Sequence, residues 1–410
     1  MGGGLLQLVA CGAQDAYLSG NPQITFWKGL FKRHTNFAME PFRINFSGQP
    51  NWGTKQSAVI GRHADLLYST YVEVILAASV YNNDKSRLGY NLIKYAELEI
   101  GGQQIDRLYG EWMFLWDSLT YNYNKSQHAF YMLAFGTSSE ELTIGNSVQC
   151  NTGNGKPSLP NTVYIPLDFF YTRNPGAALP LIALQYHEVK INILWNPASF
   201  ISGTGGSSVP GPVQAAIYID YIYLDTEERR RMAQESHVYL IEQTQFNEEK
   251  GISSYNNRID LTFNHPVKEL VWVVQKETYT NCKLTNDRLK PFSYDFNPVY
   301  KQSLQINGQD RLDARFGDYF NKVQPFQHHS GNITTQSGIY MYSFAIRPEE
   351  HQPSGTCNFS RIDTATLVIQ MSGAVPVAEH NDDTWNVRVY ALNYNILRIM
   401  SGMAGLAYSN

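Results

Sequence analysis

Charge is scarce in this sequence: Asp, Glu, Lys and Arg supply only 17% of 410 residues. The net charge of −4 gives no global drive toward nucleic acid or an anionic membrane, so no direct nucleic-acid binding is expected. Cysteine is scarcer still. Cys11, Cys150, Cys282 and Cys357 stand far apart with no Cys-x-x-Cys, which argues against a zinc site or a disulfide frame and predicts reduced thiols. No apolar run reaches the roughly 18 residues of a membrane span. Met1-Gly2-Gly3-Gly4-Leu5-Leu6 lacks the basic start of a signal peptide, and Leu6 breaks the myristoylation pattern. Together these absences predict a chain made in the cytoplasm that stays soluble or assembles there.

Catalytic signatures are missing as well. There is no Gly-x-Ser-x-Gly, no phosphate-binding Walker loop and no His-Glu-x-x-His, so no catalytic residue, no cofactor and no metal site is predicted. His187 lies on an apolar strand face and reads as a hydrogen-bonded core or interface histidine. His328 and His329 are adjacent on an extended loop and point apart, which opposes joint metal ligation. Glu379, Asp382 and Asp383 could hold a divalent ion, but a solvated acidic loop is the plainer reading. Asn-x-Ser/Thr acceptor patterns begin at Asn45, Asn124, Asn332 and Asn358. Asn358 leads into a strand, where burial would bar modification.

What the chain has is aromatic: 27 Tyr and 20 Phe, residues that suit pleated surfaces and interfaces. Residues 1–24 are small, polar and weakly apolar, an arm ordered by partners. Trp27, Leu30, Phe31 and His34 recur at helical spacing, so Ile24–His34 is predicted as a short amphipathic helix. Its Lys28, Lys32 and Arg33 are either a solvated face or a contact for an acidic partner or anionic membrane. From Phe42 onward the period is two. Strands are predicted at Phe42–Phe46, Tyr71–Leu76, Val163–Pro166, His187–Ile193 and Ile217–Leu224, with a Gly101-Gly102 hairpin inside 97–106. Trp112, Leu115, Trp116 and Leu119 make a helical core stripe.

The charge run 225–235 carries little strand signal and reads as a salt-bridged connector between domains. Beyond it come Arg258–Asn264, the fully apolar Leu270–Val274, Leu304–Gln309, Gly338–Arg347, a Pro353-Ser354-Gly355 turn into Thr364–Met371, and Trp385–Ile399. Arg361 and Asp363 are expected to pair with neighbours where that strand begins.

The second set repeats the first. Leu98–Gln103 answers Leu304–Gln309, Tyr164 answers Tyr340, and the turn at Pro180 answers that at Pro353. Each half has about eight short strands, long polar loops and no βαβ alternation. The fold class is therefore all-β, a two-sheet antiparallel sandwich of jelly-roll type occurring twice, with short helices in loops. The predicted division is an N-terminal arm 1–26, a first jelly roll 27–224, a connector 225–237 and a second jelly roll 238–410.

Several blocks carry a family resemblance: Gly12–Phe26, Arg33–Glu40, Leu179–Lys190, Gln352–Gln370 and Asn393–Tyr408. They closely resemble the major capsid proteins of nucleocytoplasmic large DNA viruses, in particular the chlorella-virus (phycodnavirus) type. The likeness runs from end to end and departs in loops, where this chain is shorter at 276–300 and 372–384. It implies a double jelly roll of two eight-stranded barrels, a homotrimeric pseudo-hexagonal capsomer, and tiling of an icosahedral shell around a large double-stranded DNA genome, with assembly in the host cytoplasm. It also implies minor capsid proteins, or the internal viral membrane, beneath the arm, and glycans on outer loops near 136–160, 199–212, 276–300 and 372–384. Two other readings stay open: a minor capsid or spike paralogue of the same fold, and a carbohydrate-binding jelly roll. The latter needs a cleft with paired carboxylates or an aromatic platform, and neither shows at a recognisable spacing.

Overall fold

The computed structural model describes residues 2–27, 29, 31–76, 88–122, 124–125, 128–129, 132, 161–201, 211–276, 297–331, 338–372 and 384–408. The chain divides into two units, 1–37 and 38–410. The first holds two short helices, α1 (Gly3–Val9) and α2 (Ala16–Ser19), and buries none of their residues. The helix predicted over Ile24–His34 is absent among the described residues, and Phe26, Trp27 and Phe31 are exposed. A lone helix of that length is marginal in water unless its apolar face is covered.

The second unit is all-β. Its first half carries β1 (Phe37–Asn45), β2 (Lys55–Ile60), β3 (Leu66–Leu76), β4 (Ile93–Ile100), β5 (Gln103–Tyr109), β6 (Asn161–Pro166), β7 (Leu179–Pro180), β8 (Val189–Trp195) and β9 (Gln214–Leu224). These form two sheets, β1-β9-β3-β6 and β2-β8-β4-β5, with β7 beside β3. The second half carries β10 (His237–Ile252), β11 (Asn256–Asp260), β12 (Pro266–Lys276), β13 (Val299–Ile306), β14 (Gln309–Asp310), β15 (Arg315–Phe316), β16 (Ile339–Ser343), β17 (Cys357–Asn358), β18 (Ala365–Met371), β19 (Trp385–Met400) and β20 (Met403–Leu406). Its sheets run β10-β19-β12-β16 and β11-β18-β13-β14, with β17 beside β12. The two halves therefore share one strand order, and each is a jelly roll.

Alternation sets the faces. In β3, Val72, Val74 and Leu76 are fully buried while Tyr71, Glu73 and Ile75 alternate with them on the other face. The predicted Gly101-Gly102 hairpin forms, and its counterpart at Asn307-Gly308 forms with it. Gly101-Gly102 and Asn307-Gly308 all have positive φ, as a two-residue turn of type I′ requires. Their surroundings match too. Gly101 N–H donates to Glu188 O at 2.8 Å, and Asn307 N–H donates to Thr364 O at 2.7 Å. Ile100 pairs with Val189 as Ile306 pairs with Ala365.

The registers correct two of the predicted equivalences. Leu66 and Leu67 pair with Pro180 and Leu179; Pro266 and Val267 pair with Asn358 and Cys357. Pro180 thus answers Asn358, not Pro353. Past a bulge in each strand, Thr70 pairs with Ile219 and Leu270 with Ala391. Thr70 O accepts from Leu167 N–H, while Leu270 faces Tyr342. Two residues back, Ile165 answers Tyr340, and both are fully buried. Aligning Tyr164 with Tyr340 was a slip of one residue, which turns a strand inside out.

The second barrel has its own core around Leu270, Trp272 and Val274. The first barrel's core reaches across to the other face of β12, taking in Val271 and Val273. Burial on both faces explains why Leu270–Val274 is apolar without alternation.

Candidate functional site

The first functional region is the seam that fastens one barrel to the other. Helix Gly110–Thr120 follows β5, and its predicted stripe of Trp112, Leu115, Trp116 and Leu119 is buried. Gly110 is required at its start, because a Cβ there would lie 2.2 Å from Ile93 O. The last carbonyls of the helix are capped from the second barrel. Gly331 N–H donates to Leu119 O at 2.7 Å and Ser330 Oγ donates to Thr120 O at 3.0 Å.

Around this apolar joint lie buried ion pairs. Arg388 Nε donates to both Glu111 oxygens, at 2.6 and 2.9 Å, and Tyr390 OH donates to Glu111 Oε2 at 2.6 Å. Glu242 takes Lys268 Nζ at 2.6 Å on one oxygen and Arg173 Nη1 at 2.8 Å on the other. His329 stands between Glu269 (2.8 Å) and Glu349 (3.0 Å), with its side chain 1% exposed. Burial alone would lower the His329 pKa, but the Glu269 charge and the hydrogen bonds to Glu269 and Glu349 outweigh it and raise it to about 9. Glu349 is held low: burial opposes this, but hydrogen bonds from His329 and Ser330 prevail. Asp106, on β5, accepts from Thr244 N–H of β10 at 3.0 Å, and burial pushes its pKa up to about 6. Of these ionic residues only His329 was singled out from the sequence, and there as a doubtful metal ligand rather than as an ion-pair partner. Glu242 and Thr244 lie in β10, a 16-residue strand that was also missed, because its inward residues are polar.

His187 is half-buried, and its Nδ1 accepts from Ala404 N–H at 3.2 Å. His328 Nδ1 lies 3.0 Å from Ile346 O, apart from the His329 pair. Among the described residues no group of three His, Cys, Asp or Glu is arranged to hold a metal ion. Glu379, Asp382, Asp383 and Asn332 lie outside the described residues, as do Cys150 and Cys282. Cys11 and Cys357 are free thiols. Asn45 and Asn124 are exposed. Asn358, expected to be buried, is exposed too, because β17 is only a two-residue bridge; its Oδ1 accepts from Ser360 N–H at 3.1 Å. Arg361 and Asp363 form no ion pair among the described residues. The start of β18 is held instead by Asn307 Oδ1, which accepts from Asp363 and Thr364 N–H at 3.0 and 3.1 Å. The charge run is a helix, Thr226–Gln234, laced by Arg230–Glu227 and Arg231–Glu235 pairs, with Arg229 reaching Asp65.

The barrels also have two unlike ends. At one, the strand ends Leu76, Asn161, Gln214, Ile93, Tyr109 and Trp195 meet, and the connections leaving them are long. At the other lie the tight Gly101-Gly102 and Asn307-Gly308 turns. The two barrels point the same way. Gly331 meets Leu119 at the long-loop end, while Gly402 O accepts from Tyr186 N–H and Gln103 Oε1 from Leu406 N–H at the short-turn end.

Comparison with known proteins covers nearly the whole chain. Residues 25–225 match a family model described as major capsid protein N-terminus, and residues 228–405 match one for the large eukaryotic DNA virus major capsid protein. The major capsid protein of Pyramimonas orientalis virus is 44% identical, with all of both chains covered. That of Paramecium bursaria Chlorella virus 1 is 39% identical, again over all of both chains. The crystal structure of PBCV-1 VP54 superposes with a TM-score of 0.79 at 35% identity, covering 94% of this chain and all of that one.

Proposed function

The chain belongs to the large eukaryotic DNA virus major capsid protein family, and we propose from that premise that it acts as a homotrimeric capsomer tiling an icosahedral shell. One observation carries the trimer. Two jelly rolls of matching strand order and register stand side by side in a single unit. Three such chains present six similar barrels, a nearly hexagonal outline that fills a flat lattice, and threefold closure needs one heterologous interface repeated around a ring.

The unlike ends suggest the orientation. The long-loop end faces outward and carries any glycans, with Asn124 exposed beside it. The short-turn end, where β1 begins, faces the interior. The arm 1–26 then meets minor capsid proteins or the internal membrane; its exposed Leu5, Leu8, Tyr17 and Leu18 call for an apolar cover. The barrels divide as 27–224 and 238–410, joined by 225–237, and assembly takes place in the host cytoplasm. The role is structural, with no reaction assigned. Quantifying the protein in purified virions tests this. It should be the dominant protein by mass; a trace amount would point to a minor or spike paralogue.

A further inference from the structure

The bare outer face of the first barrel has a covered counterpart within the same chain. On that face Tyr71 stacks on Tyr218 (5.3 Å between rings) and meets Tyr164 edge-on (6.1 Å); Tyr164 is 37% exposed. The registers assign each a partner position on the second barrel. Tyr71 answers Val271, Tyr218 answers Tyr390, and Tyr164 answers Ile339. Those three are at most 1% exposed. Helix Gly110–Thr120 accounts for this at Tyr390: Trp112 lies 5.6 Å away, and Glu111 takes the hydroxyl.

The covering helix likewise has an uncovered counterpart. Phe316 pairs with Lys301 as Tyr109 pairs with Tyr95, so Gly317 answers Gly110. Both positions exclude a side chain in the same way: a Cβ would fall 2.5 Å from Val299 O at one and 2.2 Å from Ile93 O at the other. From Gly317 the chain runs helically through Tyr319–Val323 and Gln324–His328. Counted from the shared glycine, Val323 and Phe326 take the same sequence places as Trp116 and Leu119, after a π-helical turn at Tyr319–Val323. Trp116 and Leu119 are buried, whereas Val323 is 40% and Phe326 87% exposed.

One chain therefore holds one finished helix-on-sheet joint and the two open halves of another. We propose that the helical face of the second barrel, through Val323 and Phe326, docks on the tyrosine face of the first barrel of the next copy. The joint between subunits then repeats the joint within each. The occupant is a second copy because the matching surface is already built into the chain. This rests on the trimer reading above. Aromatic anchors meeting in a desolvated patch are the usual carriers of interface affinity.

The test uses full-length chains carrying Phe326→Asp or Tyr164→Asp, followed by native mass measurement. Both side chains are exposed enough for the charge to be borne by the folded monomer, and the melting transition checks this; Val323→Asp replaces Phe326→Asp on the helical face, and Tyr218→Asp replaces Tyr164→Asp on the tyrosine face, should either fail it. Each variant alone should lose trimers, with association weakened about 30-fold or more. Mixed, the two should form one-to-one dimers, since an intact helix from one meets an intact tyrosine face from the other. Variants that stay trimeric alongside a trimeric wild type would overturn this joint and leave the trimer standing. A wild type that is itself monomeric would sink the trimer reading and this joint with it.

Discussion

His329 is the residue whose ionisation the seam depends on most directly. Its folded pKa of about 9 lies above the ordinary value of 6.5, so the protonated form is favoured by folding. That stabilisation is fully present below pH 6.5 and is lost as pH rises through 9. Thermal unfolding of the wild type should weaken over that interval, and His329→Gln should flatten the decline; an unchanged slope would remove His329 from the seam's ion balance. Asp106 works in the opposite sense. Its pKa is raised to about 6 by burial, so its ionisation opposes folding as pH rises from about 4 to 6. Asp106→Asn keeps an acceptor for Thr244 N–H and should raise stability at pH 7 by roughly 1–2 kcal/mol, with the gain vanishing below pH 4. Arg388→Met leaves the Glu111 carboxylate buried without its main counter-charge and should cost about 3–5 kcal/mol in denaturant unfolding, while pairing it with Glu111→Leu should recover most of that.

Among the elements, the helices after β5 and β15 begin at glycines wedged against a carbonyl. Gly110→Ala and Gly317→Ala should each cost about 1–3 kcal/mol by melting, because the clash is with backbone and cannot be relieved by a rotamer change. Equal stability of either variant with the wild type would show that its helix can shift. Strands with one wet face were legible, as β3 and β18 show, since alternation records the burial directly. The hairpins were legible because only Gly and Asn readily enter positive φ. β10 was not, because Glu242, Gln243 and Thr244 are buried through pairing across the seam, and a polar residue in a sequence does not announce its partner. The single-residue slip at Tyr164 has a similar origin. Its neighbourhood reads equally well in two registers until hydrogen bonds choose one. The stretch Ile24–His34, where no helix forms among the described residues, shows the converse: a periodic pattern needs a surface to fold against.

At the scale of the molecule, duplication and closure explain most of the sequence. A low charge content and heavy Tyr and Phe use suit a chain with one broad internal seam and further faces to cover. Removing residues 1–24 should leave trimers intact and impair shell formation, as counted in electron micrographs of assembled particles; loss of trimers would move the arm into the subunit interface. The central claim is that two barrels per chain become six per capsomer. Native mass measurement of the full-length protein tests it most directly. The account predicts one species at three times the chain mass of 46.5 kDa, and a strict monomer at high concentration would contradict it.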